Sequence, residues 1–487
     1  MTQYTRFPNG QRPNNRARGT PPDPAPDQAE ESSDTPVQKA AKVPDIARPK
    51  AKAGSQTLLT VFLISLMIPL QFWAGPLLLT PYRLILLVVV LPFFFKWISG
   101  KAGKIYKTDL LFLGFVIWIA VTLIVVHGSE RLELVAITTV ETFGAFLVGR
   151  VLVRTPEDYN RLLKFLFICM VLFVPAAALE STTGIRVYSK IADLFGHTHP
   201  WVHASPKYEK RLGMFRSQMV FEHPILFGVF ASTAFGMLYY TNRDKGGIYG
   251  YRRAWMPFAG TFFSLSSGAI LSIAAQGGLT FWDKIMKASR ARWKILMILG
   301  VLAYVVVDLL SNRTPVEVFI SYAAFSAHNG YMRINILNFG MDNVWAHPFF
   351  GLGMGDWVRP RWMHAASVDN FWLLMAMRHG FPGFLLIAGA YLGTMIQLGR
   401  LKLKNTRVAN MRTGYIVSLV GLLFSLMTVH IWGATYVFVC FLLGSAVWMR
   451  DYADDEGPQS DGPDVADQDR GAPNRRAATP NRTQVKR

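Results

Sequence analysis

Apolar residues recur along this chain in blocks of roughly 17–25, the length an α-helix needs to cross a bilayer. Such blocks fall at about 58–73, 83–97, 110–126, 132–148, 165–179, 219–240, 293–310, 371–398, 414–428 and 434–448. The ten-residue alternation of a membrane β-barrel is absent, so the pattern predicts an all-α, polytopic membrane protein. One stretch, 254–282, is apolar but has basic residues on both sides. Equal charge at both ends requires an even number of crossings, and the stretch is short for two. Two short or broken helices meeting near Ser264-Leu265-Ser266-Ser267-Gly268 satisfy both facts, for a total of about 12 spans. No repeat relates the two halves.

The polar segments between blocks fix the expected orientation. Basic residues gather before the first span (Arg48, Lys50, Lys52) and in alternate loops thereafter, which places both termini on the cytoplasmic side. Residues 1–56 and 450–487 are polar and read as disordered tails flanking a membrane domain at 57–449. The first apolar block starts near Thr57, which speaks against a cleavable signal peptide. Two long loops, 180–218 and 311–368, are expected on the opposite face; the first holds His197, His199, Trp201 and His203. The formal charge of +20 over 487 residues fits this inside-positive bias, and a nucleic-acid partner is not expected. The two cysteines, Cys169 and Cys440, lie within apolar blocks and form neither a disulfide framework nor a zinc site.

Candidate chemistry concentrates between Ser311 and Gly383. Residues 331–346 carry apolar side chains at helical spacing with Arg333 in the first turn, and His347-Pro348 ends the helix. Arg333 is either a snorkelling anchor or a functional cation. The run Gly351-Leu352-Gly353-Met354-Gly355 follows no strand, so it is no nucleotide loop; it suits a tight turn or a close approach of substrate to backbone. Asp369-Asn370 precedes an apolar helix, where Asp369 can serve as a general base or as a helix cap. Upstream, Arg211 and Arg216 precede Glu222-His223-Pro224, whose polar groups fall inside an apolar block and whose proline breaks the helix where a cavity can open. Trp345, Trp357, Trp362 and Trp372 are candidates for stacking on sugar rings, or belong to an interfacial aromatic belt.

Taken in order, Arg216, Pro224, Arg333, Trp345, Pro348, Gly351, Gly353, Gly380 and Gly383 resemble the loop pattern of the O-antigen ligase and O-antigen polymerase superfamily. That resemblance implies a GT-C-like membrane fold with a large periplasmic loop bearing short helices, in the bacterial inner (cytoplasmic) membrane. It implies a glycosyltransferase whose donor is a polyprenyl-diphosphate-linked saccharide. Asp369 stands where the family has a histidine, eleven and fourteen residues before Gly380 and Gly383, with Asn370 beside it. The departure argues against a lipid A–core ligase and favours a polymerase of O-antigen or exopolysaccharide repeat units; His364 or His379 is an alternative source of an imidazole.

The expected catalytic residues are therefore Asp369, Arg333 and Arg216. Arg359, Arg361, His364, Asn370, Glu222, His223, Gly351 and Gly353 are expected to bind substrate. Guanidinium groups suit a diphosphate leaving group because their planar forks pair with phosphate oxygens. No cofactor or metal is expected, since no dense carboxylate cluster occurs. Partners are the bilayer, the lipid-linked saccharide and other assembly proteins such as a flippase or chain-length regulator. The competing readings are an O-antigen ligase, a lipid-linked saccharide flippase or transporter, and a membrane scaffold.

Overall fold

A computed structural model describes residues 53–75, 77–186, 188, 210–243, 248–323 and 326–456. The tails 1–52 and 457–487, and His197, His199, Trp201 and His203, lie outside the described residues. Within them, nine helices are long and apolar enough to cross a membrane. The chain is an all-α, multi-pass membrane protein.

The helices that matter to the site are α1 (Ala53–Ser65), α2 (Pro81–Ile98), α3 (Lys107–His127), α4 (Leu132–Thr139) and α5 (Ala145–Leu152). They continue as α6 (Pro156–Thr183), α7 (Pro224–Thr241), α8 (Ile248–Phe263), α9 (Ser267–Ile285) and α10 (Arg292–Leu310). Then come α11 (Pro315–Tyr322), α12 (Ala327–Ala346), α13 (Phe371–Gly399), α14 (Thr406–Leu426), α15 (Gly433–Gly444) and α16 (Trp448–Asp455). Helix α7 is the most enclosed span, packed among α8, α9 and α14, while α10 buries none of its residues. Gln276 joins three of these helices: its carbonyl accepts from Gly236 N at 2.9 Å and its amide donates to Ser232 O at 2.8 Å, with Ser418 Oγ at 3.4 Å. Inside a membrane such a side chain must find protein partners, and here it does.

Three expected boundaries move. The first block was expected to run to 73, but α1 ends at Ser65, ahead of Pro69, and Trp73 lies on a short hairpin in which Phe72–Ala74 pairs with Leu77–Leu79. Proline restricts the residue before it and cannot donate to a helix, which stops the span there. Residues 450–455 were expected in a polar tail, yet they belong to α16, because Asp451 pairs with Arg154 at 2.8 Å and Asp454 with Lys104 at 2.9 Å. The span expected at 219–240 begins only at Pro224, since residues 219–223 are not helical.

The predicted break near Ser264 is present, with helices of 16 and 19 residues on either side. At about 1.5 Å per residue each reaches roughly 24–28 Å, so both nearly span the hydrocarbon core. The turn leaves carbonyls that no helix can satisfy. Phe263 O accepts from Ser217 N at 3.0 Å and Ser181 Oγ at 3.1 Å, and Leu265 O accepts from Arg211 Nη1 at 2.8 Å.

A second break lies inside α13. Gly380 has φ 66° and ψ −177°, and Pro382 follows. Phe381 N turns away from the carbonyl four residues before it and donates to Pro348 O at 2.8 Å, while Pro382 has no N–H to give. The freed carbonyls of Met377 and Arg378 accept from Leu352 N at 2.7 Å and Gly353 N at 3.0 Å. His379 O takes the indole N–H of Trp118 at 2.8 Å. The glycine run and the glycine kink thus fit each other, backbone on backbone. A Cβ at Gly351 would lie 2.5 Å from Met377 O, and one at Gly380 would overlap the Phe349 carbonyl.

Gly351→Ala or Gly380→Ala is expected to destabilise the protein by about 2 kcal/mol or more, through left-handed strain plus steric overlap. Gly277→Ala, at a helical position with no neighbour within 4 Å, should be neutral or mildly stabilising. Thermal midpoints of the purified variants in detergent separate the two classes; equal midpoints would contradict this account of the kink.

Candidate active site

The segment entering α7 is anchored before it can present any side chain. Arg211 and Met214 exchange backbone hydrogen bonds of 2.9 and 3.0 Å around Leu212 (φ 53°) and Gly213 (φ 76°), the signs of a tight two-residue turn. Phe215 N donates to Ser181 O at 2.9 Å. The buried Glu180 carboxylate then receives Ser217 Oγ at 2.8 Å and the N–H groups of Met219 and Gln218 at 3.3 and 3.4 Å. Arg216 sits between these anchors, so its backbone has little freedom.

Arg333 comes from α12. Ser326 caps that helix by accepting from Asn329 N at 3.2 Å, so the helix starts earlier than the sequence pattern indicates and Arg333 lies in its second turn. Its guanidinium donates to Ser267 Oγ at 3.3 Å, on the first residue of α9. Arg211 and Arg333 therefore both hold the break between α8 and α9. Further along α12, Asn343 clasps the outgoing loop at Val358, donating to its carbonyl at 2.8 Å and accepting from its N–H at 2.9 Å. The loop ends at α13, where Asn370 caps the helix through Leu373 N at 3.0 Å.

Asn370 is the N-cap, and Asp369, immediately outside the helix, faces Arg333, Arg216 and Arg211. Burial raises the Asp369 pKa above the ordinary carboxylate range; the three guanidinium groups oppose the rise, Arg333 most strongly. His223 faces Arg216 and Arg211 as well. Burial together with those cations lowers its pKa to about 3, so the imidazole is neutral near pH 7. The arrangement sets three arginines near one carboxylate, with a neutral imidazole close to two of them. Such a cluster can grip an oxyanion with several charge-assisted hydrogen bonds while the carboxylate accepts a proton. Among the described residues no group of three or more His, Cys, Asp or Glu side chains converges as metal ligands do.

Of the residues singled out in sequence, Arg216, Arg333, Asp369 and His223 come together. Glu222 stands beside them, hydrogen-bonded to Trp432, and burial raises its pKa. The expectation that Glu222 and His223 interrupt a membrane helix is corrected: they precede it, His223 is its N-cap through Nδ1 and Ile225 N at 3.1 Å, and Pro224 opens the helix. The other candidates sit elsewhere. Arg359 is engaged within its own loop, donating to Asp356 at 2.5 Å and Met363 O at 3.0 Å. Arg361 and His364 are exposed on that loop, and neither is among the charges that act on Asp369. Gly351 and Gly353 are occupied by the chain's own kink. His379 is buried against Phe115 and bonded to Thr122 Oγ1 at 2.8 Å.

Trp345 packs on Phe381 and Trp372 on Tyr391, whereas Trp357 is buried with its indole on Ala366 O at 3.0 Å. Sequence reasoning noticed Arg211 without giving it a role, and passed over His430 and Trp432. These last two stand in a short polar interruption between two apolar blocks, a weak signal that the helix packing makes strong.

The division of labour between Asp369 and Asn370 has a stability signature. Asn370→Ala is expected to cost about 1 kcal/mol by removing a cap. Asp369→Asn should leave the thermal midpoint unchanged or raise it at neutral pH, because a carboxylate with a raised pKa is one the fold disfavours in its charged form. A fall as large as that of Asn370→Ala would return Asp369 to a structural role.

Comparison with known proteins adds the family. No curated protein matches the chain. A family model described as O-Antigen ligase matches residues 253–388, the stretch that holds the α8–α9 break, Arg333, Asp369, Gly380 and Gly383. That stretch, somewhat over a quarter of the chain, is similar to the O-antigen ligase family, in line with the resemblance read from the sequence.

Proposed function

We propose that this protein transfers saccharide from a polyprenyl-diphosphate-linked donor to a sugar hydroxyl at the outer face of the cytoplasmic membrane. The observation that carries the reading is Asp369 facing Arg333, Arg216 and Arg211. The donor's diphosphate binds to the arginines, whose charge stabilises it as it leaves. Asp369 accepts the proton of the acceptor hydroxyl as that oxygen attacks the anomeric carbon. The carbon–oxygen bond to the diphosphate breaks, and the bonding pair departs with the polyprenyl diphosphate. Neutral His223, beside two of the arginines, adds no competing charge at pH 7. The match to a ligase family gives no support to the flippase reading.

Within this chemistry we favour polymerisation of repeat units, because an aspartate stands at the position where the resemblance implies a histidine. The second reading is ligation of finished polymer to another acceptor, favoured by the description of the matching family. Deleting the gene and displaying the surface polysaccharide on a gel separates them. Single-repeat chains on the normal acceptor mean polymerase; loss of acceptor-linked chains, with long chains left on the lipid carrier, means ligase. An unchanged ladder in the deletion strain overturns both.

Proton acceptance gives a further test. A base must be deprotonated to work, so the rate should rise with pH through the Asp369 pKa, and that rise should sit above the ordinary carboxylate value of about 3.9. Arg333→Ala is expected to lower transfer roughly 100-fold or more. A pH profile flat down to the ordinary carboxylate range, or full activity in Arg333→Ala, would contradict the assignment.

A further inference from the structure

The segment between α14 and α15 lies against the cluster and carries a row of rings. Phe371 N, two residues beyond Asp369, donates to Val429 O at 3.1 Å and ties this segment to the head of α13. His430 then stacks on Phe371, with centroids 6.4 Å apart and planes 15° apart. Trp432 stacks on His430 at 5.7 Å and 29°. His223, already beside Arg216 and Arg211, meets Trp432 at 5.9 Å. The row thus runs from one flank of the arginine–aspartate cluster to the other.

Trp432 is held rather than loose. Its side chain hydrogen-bonds to the Glu222 carboxylate. The next residue, Gly433, has φ +54°, and a Cβ there would lie 2.5 Å from Glu222 Oε1, so only glycine lets the carboxylate come this close. Yet Trp432 remains 36% exposed. His430 Nδ1 is buried and makes no hydrogen bond among the described residues. An interfacial anchor needs only an indole in contact with headgroups. A ring fixed by a carboxylate, next to an imidazole nitrogen with hydrogen-bonding capacity left over, has the composition of a carbohydrate site. The apolar C–H face of a pyranose lies on an aromatic plane while its hydroxyl groups reach polar atoms at the edge.

We propose that Trp432, positioned by Glu222 and flanked by His430, is a binding platform for a pyranose ring of the transferred or the accepting saccharide. The proposal rests on the glycosyl-transfer reading for its substrate class, but saccharide binding can be measured without turnover. The probe is the repeat-unit oligosaccharide released from the lipid carrier by mild acid. Its binding to the full-length protein in nanodiscs is read by saturation-transfer NMR.

Trp432→Leu keeps apolar volume without a ring face and should weaken binding roughly tenfold, while Trp432→Phe restores most of it. With lipid-linked donor and a defined acceptor, Trp432→Leu should raise the KM of whichever saccharide uses the platform and leave kcat within a few-fold. Wild-type binding by a folded Trp432→Leu protein overturns the platform; Trp432→Met serves if the leucine variant does not fold. Full transfer activity in Asp369→Asn would overturn the catalytic reading while leaving the binding comparison intact, so the two failures are distinguishable.

Discussion

Backbone groups within a membrane must be satisfied by protein, and this molecule breaks its helices at two places where that demand becomes acute. At the turn between α8 and α9 the carbonyls of Phe263 and Leu265 are taken by Ser217, Ser181 and Arg211. At Gly380 the carbonyls of Met377, Arg378 and His379 are taken by Leu352, Gly353 and Trp118. The first set of bonds fixes the loop that carries Arg216. The second fixes the glycine turn after α12, which carries Arg333, to the helix headed by Asp369. The charged cluster is placed by hydrogen bonds that the breaks require.

This origin explains how arginines can be held close together beside apolar spans. Arg211 and Arg333 each bond a neutral group in the broken turn, a carbonyl and a hydroxyl respectively. Asp369 is a carboxylate on which three guanidinium groups act. At the other end of the bundle charges are matched locally: Asp283 pairs with both Arg243 and Arg292, and Asp109 with Arg150.

Much of this was legible in the sequence. Apolar block length gives the spans, and basic residues on both sides of 254–282 reveal the paired helices before any coordinates. Arg216 and Asp369 stand just ahead of apolar blocks and Arg333 in the first turn of the stretch 331–346, and the family resemblance singles out all three. The glycines also stand out, but their purpose does not: a run that suits a close approach says nothing of what approaches, and here it is the chain's own helix. Asp369 and Asn370 are interchangeable by cap propensity and only hydrogen-bond geometry assigns them. The α1 boundary was missed because 58–73 is apolar throughout, while Pro69 and the hairpin turn act against the helix. Trp432 and His430 were missed because the row they form depends on contacts between three separate segments.

The central claim is that Asp369 receives the acceptor's proton within an arginine-lined anion site. Its most direct test is transfer by purified protein from a lipid-linked saccharide, comparing wild type with Asp369→Asn and Asp369→His. The account predicts that the asparagine variant falls by roughly 10²–10⁴-fold, since it cannot accept a proton, and that the histidine variant, which can, retains measurably more activity. Wild-type transfer by Asp369→Asn would contradict it.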